Sequence, residues 1–282
     1  MKFTKVAAII AAAAIASVGL SACGSDGDYS SIVDKAKDTG KLTVGVKFDQ
    51  PGMGLKKEDG TFAGFDIDVA RYIAKELGVA EKDIEFKETP SAQRETALKN
   101  HEVDFIVATY SITDTRKEAV SFAGPYFVAH QDLLVAKDNS DITGPESLNN
   151  QDKKLCSVTG STSAQTVKDK FAGKVQLKEY GGYSDCVQAL ASGAVDAVTT
   201  DDVILAGYAA AQQYQGKFKV VGNGFTDENY GVGLWKDDTA ARDAVNAAIE
   251  KMESDGSWEK FLKDNVGPSG YAIPDVPAIT EK

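Results

Sequence analysis

The stretch Val107-Ala108-Thr109-Tyr110-Ser111-Ile112-Thr113-Asp114-Thr115-Arg116 passes from apolar residues to hydroxyls and ends on a guanidinium. Phe105, Ile106 and Val107 read as a buried strand, and the hydroxyls follow at its end. Free backbone N–H groups and hydroxyls at a strand end, with an arginine close by, make a site for a carboxylate. The guanidinium offers a planar fork that bonds both oxygens, and Ser or Thr donates to the remaining lone pairs. The same letters also fit a plainer reading. Thr113 would cap a helix over 114–120, with Arg116 solvated in its first turn. The choice between the two depends on the elements around them.

The N-terminal residues read as a targeting segment. Lys2 and Lys5 precede an apolar run over 6–20, shorter than the roughly 20 residues a helix needs to cross a bilayer. Leu20-Ser21-Ala22-Cys23 closes it and resembles a bacterial lipobox, which implies a signal peptide over 1–22 and lipidation of Cys23. Residues 23–30 are polar and flexible, as a tether would be. Cys156 and Cys186 remain as an even pair in an exported chain, so a disulfide between them is expected. It would close a loop of roughly 30 residues, worth about 3–4 kcal/mol in the chain-entropy account.

The formal charge of −11 argues against nucleic acid and anionic lipid as partners, and it makes any local cluster of cations informative. A body of about 250 residues suits two lobes better than one small core. Strands are expected at 41–46, 84–86, 103–107, 133–136, 154–158, 175–177, 195–199, 220–221 and 230–235. Helices are expected at 65–77, 92–98, 163–171, 184–191, 203–213, 239–254 and 258–265. This alternation points to an α/β fold with mainly parallel strands. Segments 128–136 and 230–235 fall between the βα groups. If both cross between lobes, lobe 1 comprises 31–132 and 229–268, lobe 2 comprises 133–228, and 269–282 is a tail without structural demand. Strand ends and helix N-termini would then face a hinged cleft.

Several stretches in order carry a family resemblance. Gly64-Phe65-Asp66-Ile67-Asp68 and Ser111-Ile112-Thr113-Asp114-Thr115-Arg116-Lys117 resemble the type II periplasmic-type solute-binding proteins of the polar amino acid group, the receptor parts of ABC importers. Lys47-Phe48-Asp49-Gln50-Pro51-Gly52, Pro90-Ser91-Ala92-Gln93-Arg94-Glu95-Thr96 and Ala108-Thr109-Tyr110-Ser111-Ile112 are similar to the glutamate-binding lipoproteins of Gram-positive bacteria. The resemblance implies a two-lobed Venus-flytrap fold with two crossing hinge strands. It also implies a monomeric receptor, lipid-anchored outside the cytoplasmic membrane, that hands its ligand to permease subunits driven by separate ATPase subunits.

An α-amino acid is a zwitterion, and removing both charges from water without partners would cost several kcal/mol. Arg116, Ser111 and the backbone at Thr109 are the expected carboxylate partners, joined by Thr162 at a helix N-terminus in the other lobe. Thr162 and its serine neighbours also fit a simple cap. Asp201 stands where the family places its ammonium-binding aspartate, with Asp202 as competitor. Lys47 and Arg94 would add a second carboxylate site and so favour glutamate, with glutamine or another polar amino acid as the alternative. Gln50 and Gln93 are candidates for further hydrogen bonds. Gln50 and Ser91 stand where the family often has aromatic rings, which leaves Phe48 or Tyr110 to cover the ligand's stem.

A dehydratase or lyase on the same fold is the rival class. General acid–base chemistry usually wants a histidine or a carboxylate pair in the cleft. The two histidines, His101 and His130, have no nucleophile beside them and read as surface or hinge residues. No spacing suggests a metal or cofactor, and Gly52-Met53-Gly54 and Gly222-Asn223-Gly224 are turns rather than phosphate loops.

Overall fold

The computed structural model describes residues 29–171 and 173–282. The leader 1–22, the lipidation at Cys23 and most of the tether lie outside the described residues.

In chain order the strands are β1 (Leu42–Val46), β2 (Asp49–Gln50), β3 (Gly54–Lys56), β4 (Phe62–Ala63), β5 (Ile84–Glu88), β6 (Phe105–Ile106) and β7 (Ser121–Ala136), then β8 (Lys154–Val158), β9 (Gln176–Tyr180), β10 (Ala197–Asp201), β11 (Phe218–Val220) and β12 (Asp227–Leu234). The helices are α1 (Ile32–Thr39), α2 (Phe65–Glu76), α3 (Arg94–Lys99), α4 (Asp114–Ala119), α5 (Thr162–Lys170), α6 (Tyr183–Ala191), α7 (Asp202–Ala210), α8 (Thr239–Ser254) and α9 (Ser257–Asn265). The alternation of strand and helix is as expected.

One sheet runs in the order β5-β1-β6-β12-β7-β10-β8-β9, with β11 beside β7; β2, β3 and β4 form a small separate sheet. In the first lobe β1 pairs in parallel with β5 and β6, and in the second β8 pairs in parallel with β9 and β10. The parallel pairs send their strand ends, and the helices that follow, toward one region between the lobes.

The crossing strands differ from expectation in length. β7 is a single strand from Ser121 to Ala136, seven residues earlier in its start than the crossing segment expected over 128–136. It pairs with β12 as far as His130 and with β10 from Gln131. Gly124-Pro125 interrupts the strand pattern ahead of residue 128, since proline removes a ladder donor. The second crossing strand likewise starts earlier, at Asp227. The tail is not free either. Thr280 and Glu281 donate their N–H groups to the Gly124 carbonyl at 2.9 and 3.0 Å, and Asn246 Nδ2 holds the Glu281 carbonyl at 2.6 Å.

Packing follows the periodicity. α2 buries Ile67, Ala70, Ile73 and Ala74, and α8 buries Val245, Ala248, Ile249 and Met252. The main core continues from the first lobe through both crossing strands to α6 and α7. A second core, including Leu133, Leu155, Val167 and Phe171, lies on the other face of the second lobe's sheet.

Cys156 in β8 and Cys186 in α6 form the expected disulfide, both side chains fully buried. Replacing both by alanine is expected to lower the unfolding free energy by roughly 3–4 kcal/mol, because the denatured chain regains the loop entropy. Urea unfolding of the parent and the double variant checks this; equal stabilities would contradict it.

Candidate functional site

The lobes close on a narrow cavity where β6, α3 and α4 meet the ends of β8 and β10. Ser91, Arg94, Thr109, Ser111 and Arg116 line it from the first lobe. Ser161, Thr162, Ser163, Tyr183, Asp201 and Ile204 line it from the second. Six of the seven ligand-site residues expected from sequence are therefore brought together. Lys47 is not in the lining; its buried ammonium lies within electrostatic reach of Arg94.

The plainer reading of the 109–116 segment holds for its cap and fails for its arginine. Thr113 caps α4, its hydroxyl oxygen accepting the Arg116 N–H at 3.2 Å. Arg116 is nevertheless not solvated, being only 8% exposed. Its Nη1 donates to the Ser111 carbonyl at 2.7 Å, its Nη2 to the Gly160 carbonyl of the other lobe at 3.1 Å, and its Nε lies 3.3 Å from Glu95. Two of its five N–H donors remain for something in the cavity.

Thr109 adopts a left-handed backbone with φ 47°, unusual for a β-branched residue. The fully buried Asp66 carboxylate holds it there by accepting its N–H at 2.7 Å, while Tyr126 donates to the other Asp66 oxygen at 2.7 Å. Burial drives the Asp66 carboxyl up to about 7 against those two hydrogen bonds.

Tyr110 does not cover a ligand stem. Its ring is wedged between the two guanidinium groups, 4.9 Å from the carbon of each, and its hydroxyl donates to Glu95 at 2.8 Å. It orders both arginines from behind. Phe48 packs on Phe62 away from the cavity. Of the lining residues, Ile204 and Tyr183 offer the carbon surface instead.

Arg94, at the start of α3, donates Nη2 to the Ala108 carbonyl at 2.6 Å, but its buried Nε has no hydrogen-bond partner. Burial, then the neighbouring Arg116 charge, lowers its affinity for its proton. Gln50 accepts from the Thr109 hydroxyl at 3.2 Å while its buried Nε2 is also unpartnered. Gln93 is exposed. Lys47 follows β1, is 3% exposed, and has no hydrogen-bond or ion-pair partner among the described residues. Burial first, and Arg94 second, push its pKa down to about 8.

The second lobe and the crossing strand that leaves it contribute carboxyl groups. Asp201 ends β10, faces the cavity and accepts from the Tyr230 hydroxyl. Burial and the nearby Glu228 charge hold its carboxyl well above the usual range. The adjacent Asp202 points elsewhere, accepting the His130 and Val203 N–H groups and the Tyr271 hydroxyl. Thr162 donates to Glu228 at 2.9 Å, so its 3.5 Å contact with Ser111 is one in which Ser111 donates. Gly160, with φ 79°, brings its backbone against Ala92 of the first lobe, where a methyl group would lie 2.7 Å from the Ala92 Cα.

Glu228, Tyr230, Tyr183, Ile204, Glu95 and Asp66 were not singled out from sequence. An acidic residue at the entry to a crossing strand was a signal for Glu228; the others look like ordinary core or helix residues. His101 stacks on Trp235 at 4.0 Å, and His130 lies 3.0 Å from Asp227, both outside the cavity. Among the described residues no group of three or more His, Cys, Asp or Glu side chains could hold a metal ion.

The model of the bacterial extracellular solute-binding proteins, family 3, matches residues 42–268. The chain is 49% identical over 282 residues to the glutamate-binding protein GluB of Corynebacterium efficiens, covering 97% of this chain and 94% of that one. It is 39% identical over 253 residues to the glutamine-binding protein GlnH of Bacillus subtilis, covering 86% and 90%. An ancestral arginine-binding protein bound to glutamine matches with a TM-score of 0.74 and 38% identity, covering 81% of this chain and 98% of that structure. The chain belongs to the family 3 extracellular solute-binding proteins, and its α/β fold is the two-lobed type II periplasmic-binding-protein fold. Among the described residues no helix is long and apolar enough to cross a membrane.

The Lys47 ammonium gives a test of the site's electrostatics without any ligand. Below pH 8 both folded and unfolded chains carry the charge, so the cost of burying it is fully present. Between pH 8 and 10.5 the folded chain loses the proton first and the cost disappears. Lys47→Met is expected to raise ligand-free stability at pH 7 by up to about 3 kcal/mol and to flatten the rise in stability above pH 8. Denaturant titrations at several pH values check this; identical curves for parent and variant would contradict it.

Proposed function

We propose that this family 3 solute-binding protein is the receptor of an ABC importer that captures glutamate by closing its lobes and delivers it to a membrane permease. The observation that carries the choice of ligand is the buried Arg94 at the cavity wall, whose Nε donor is unpartnered, with the buried Lys47 charge within electrostatic reach. Unpaired buried cations are costly, and a second carboxylate would compensate them. The similarity to GluB supports the same ligand.

In this reading Arg116 grips the α-carboxylate with Ser111, Thr109 and Thr162. The two remaining guanidinium donors supply its hydrogen bonds. The Thr109 N–H is held by Asp66, and the Ser111, Thr109 and Thr162 hydroxyls join only by turning away from the partners they hold here. Asp201 holds the ammonium, because it faces the cavity and Asp202 does not. Arg94 receives the side-chain carboxylate, and Lys47 adds its charge from outside the lining. The lobes would be 31–132 with 229–268, and 133–228, moving about β7 and β12. Cys23 would carry the lipid that keeps a monomeric receptor at the outer face of the membrane, and no turnover accompanies binding. Glutamine is the competing ligand. GlnH is a relative at 39% identity, and it is Arg94 alone, not Lys47, that touches the cavity.

Calorimetric titration with glutamate, aspartate, glutamine, asparagine and arginine tests the reading, with glutamate expected to bind tightest. Arg94→Gln is expected to erase the preference for glutamate over glutamine, a change of about tenfold or more, while glutamine still binds. Arg116→Ala is expected to weaken every amino acid by about a hundredfold or more, since the shared α-carboxylate loses its fork. Tight binding of glutamine without glutamate would overturn the choice of ligand, and undiminished binding by Arg116→Ala would overturn the clamp.

A further inference from the structure

A second set of contacts joins the lobes away from the cavity lining. Asp49 in β2 accepts the Ser184 N–H at 3.1 Å and the Ser184 hydroxyl at 3.2 Å, in the first turn of α6. Tyr208 of α7 donates its hydroxyl to the Asp49 main-chain carbonyl. Two residues on, the Pro51 carbonyl lies flat against α7 at Gly207. A methyl group at Gly207 would come within 2.0 Å of the Pro51 oxygen, and one at Gly182 within 2.7 Å of the Asp49 carboxylate.

Neither glycine is demanded by its own backbone. Gly207 is inside a helix and Gly182 has φ −135°, both open to any residue. A glycine inside a helix costs stability relative to alanine, so its presence needs a reason. The reason visible here is clearance: the absent side chains admit the corner of the other lobe. With the lobes apart, Asp49, Ser184 and the α6 N-terminus would be solvated, and the contact would be absent.

We propose that the corner Asp49-Gln50-Pro51 is a closure latch, and that Asp49 determines ligand affinity without touching the ligand. The latch rests on the reading of a cleft that closes around an amino acid. Its carboxylate meets the positive end of the α6 dipole, and the Pro51 carbonyl packs into the notch at Gly207. Both interactions belong to the closed form alone, so they bias the open–closed equilibrium and strengthen binding by the same factor.

Gly207→Ala separates this role from a structural one. Alanine suits a helix better than glycine, so ligand-free thermal stability is expected to stay level or rise. Glutamate affinity is expected to fall by about tenfold or more, because closure must now displace backbone. Asp49→Asn keeps the shape and removes a charge that also acts on Lys47, so the latch is read with glutamine, which lacks the side-chain carboxylate: its binding is expected to weaken by about three- to tenfold, with faster dissociation. Spin labels on cysteines at Lys57 and Lys178 would report the closed fraction directly, with and without glutamate, and the variants are expected to show less of it. Equal closed fractions and equal affinities in parent and Gly207→Ala would overturn the latch. A parent that closes on glutamine and ignores glutamate would instead overturn the choice of ligand, and a reduced closed fraction in Gly207→Ala with glutamine would still support the latch.

Discussion

Three buried cations near the cleft set the terms for the rest of this molecule. Lys47, Arg94 and Arg116 are 3, 2 and 8% exposed. Charges so placed repel one another and lose hydration, and both effects show in the lowered proton affinities of Lys47 and Arg94. The scaffold answers with fixed dipoles more than with counter-ions. Carbonyls of Ala108, Ser111 and Gly160 hold the two guanidinium groups, Tyr110 fills the gap between them, and Glu95 neutralises part of the charge from behind. These supports leave selected donors facing inward. A site built this way is preorganised for an anion, since its donors need little rearrangement when the anion arrives.

The charges are also divided between the lobes. Cations come from the first, while Asp201 and Glu228 come from the second lobe and the crossing strand. A zwitterion laid across the cavity would satisfy both sides at once, which couples binding to closure.

Much of this was legible in the sequence because periodicity reports burial. α2 and α8 appear with the apolar faces their spacing demands, and the strand-to-hydroxyl change at 107–111 marks the end of β6. Arg116 was ambiguous because a capping threonine and a buried, cavity-lining arginine share one helical turn, and the fold contains both. Asp201 and Asp202 could not be separated by composition. A one-residue step at the junction of strand and helix turns the second carboxylate to the opposite side. Tyr110 was misplaced because sequence does not say whether an aromatic ring faces a cavity or the residues that line it. Glu95, Asp66 and the Asp49 corner sit inside the stretches that carry the resemblance, but their roles did not show for a related reason: each acts on a segment distant in sequence, and only the folded chain brings them together. The length of β7 was hidden by Gly124-Pro125, which local rules read as a stop although tertiary pairing carries the strand through.

The central claim is that the buried cations are matched by a second carboxylate on the ligand. The most direct measurement is the number of protons taken up on binding at pH 8, from calorimetry in buffers of different ionisation enthalpy, for glutamate and glutamine in parallel. The α-carboxylate and ammonium are common to both ligands, so any proton exchanged at Asp201 cancels in the difference. Lys47 stands near its midpoint at pH 8. A carboxylate arriving beside Arg94 is therefore expected to draw up to about half a proton more than the amide does. Equal proton uptake for the two ligands would contradict the account.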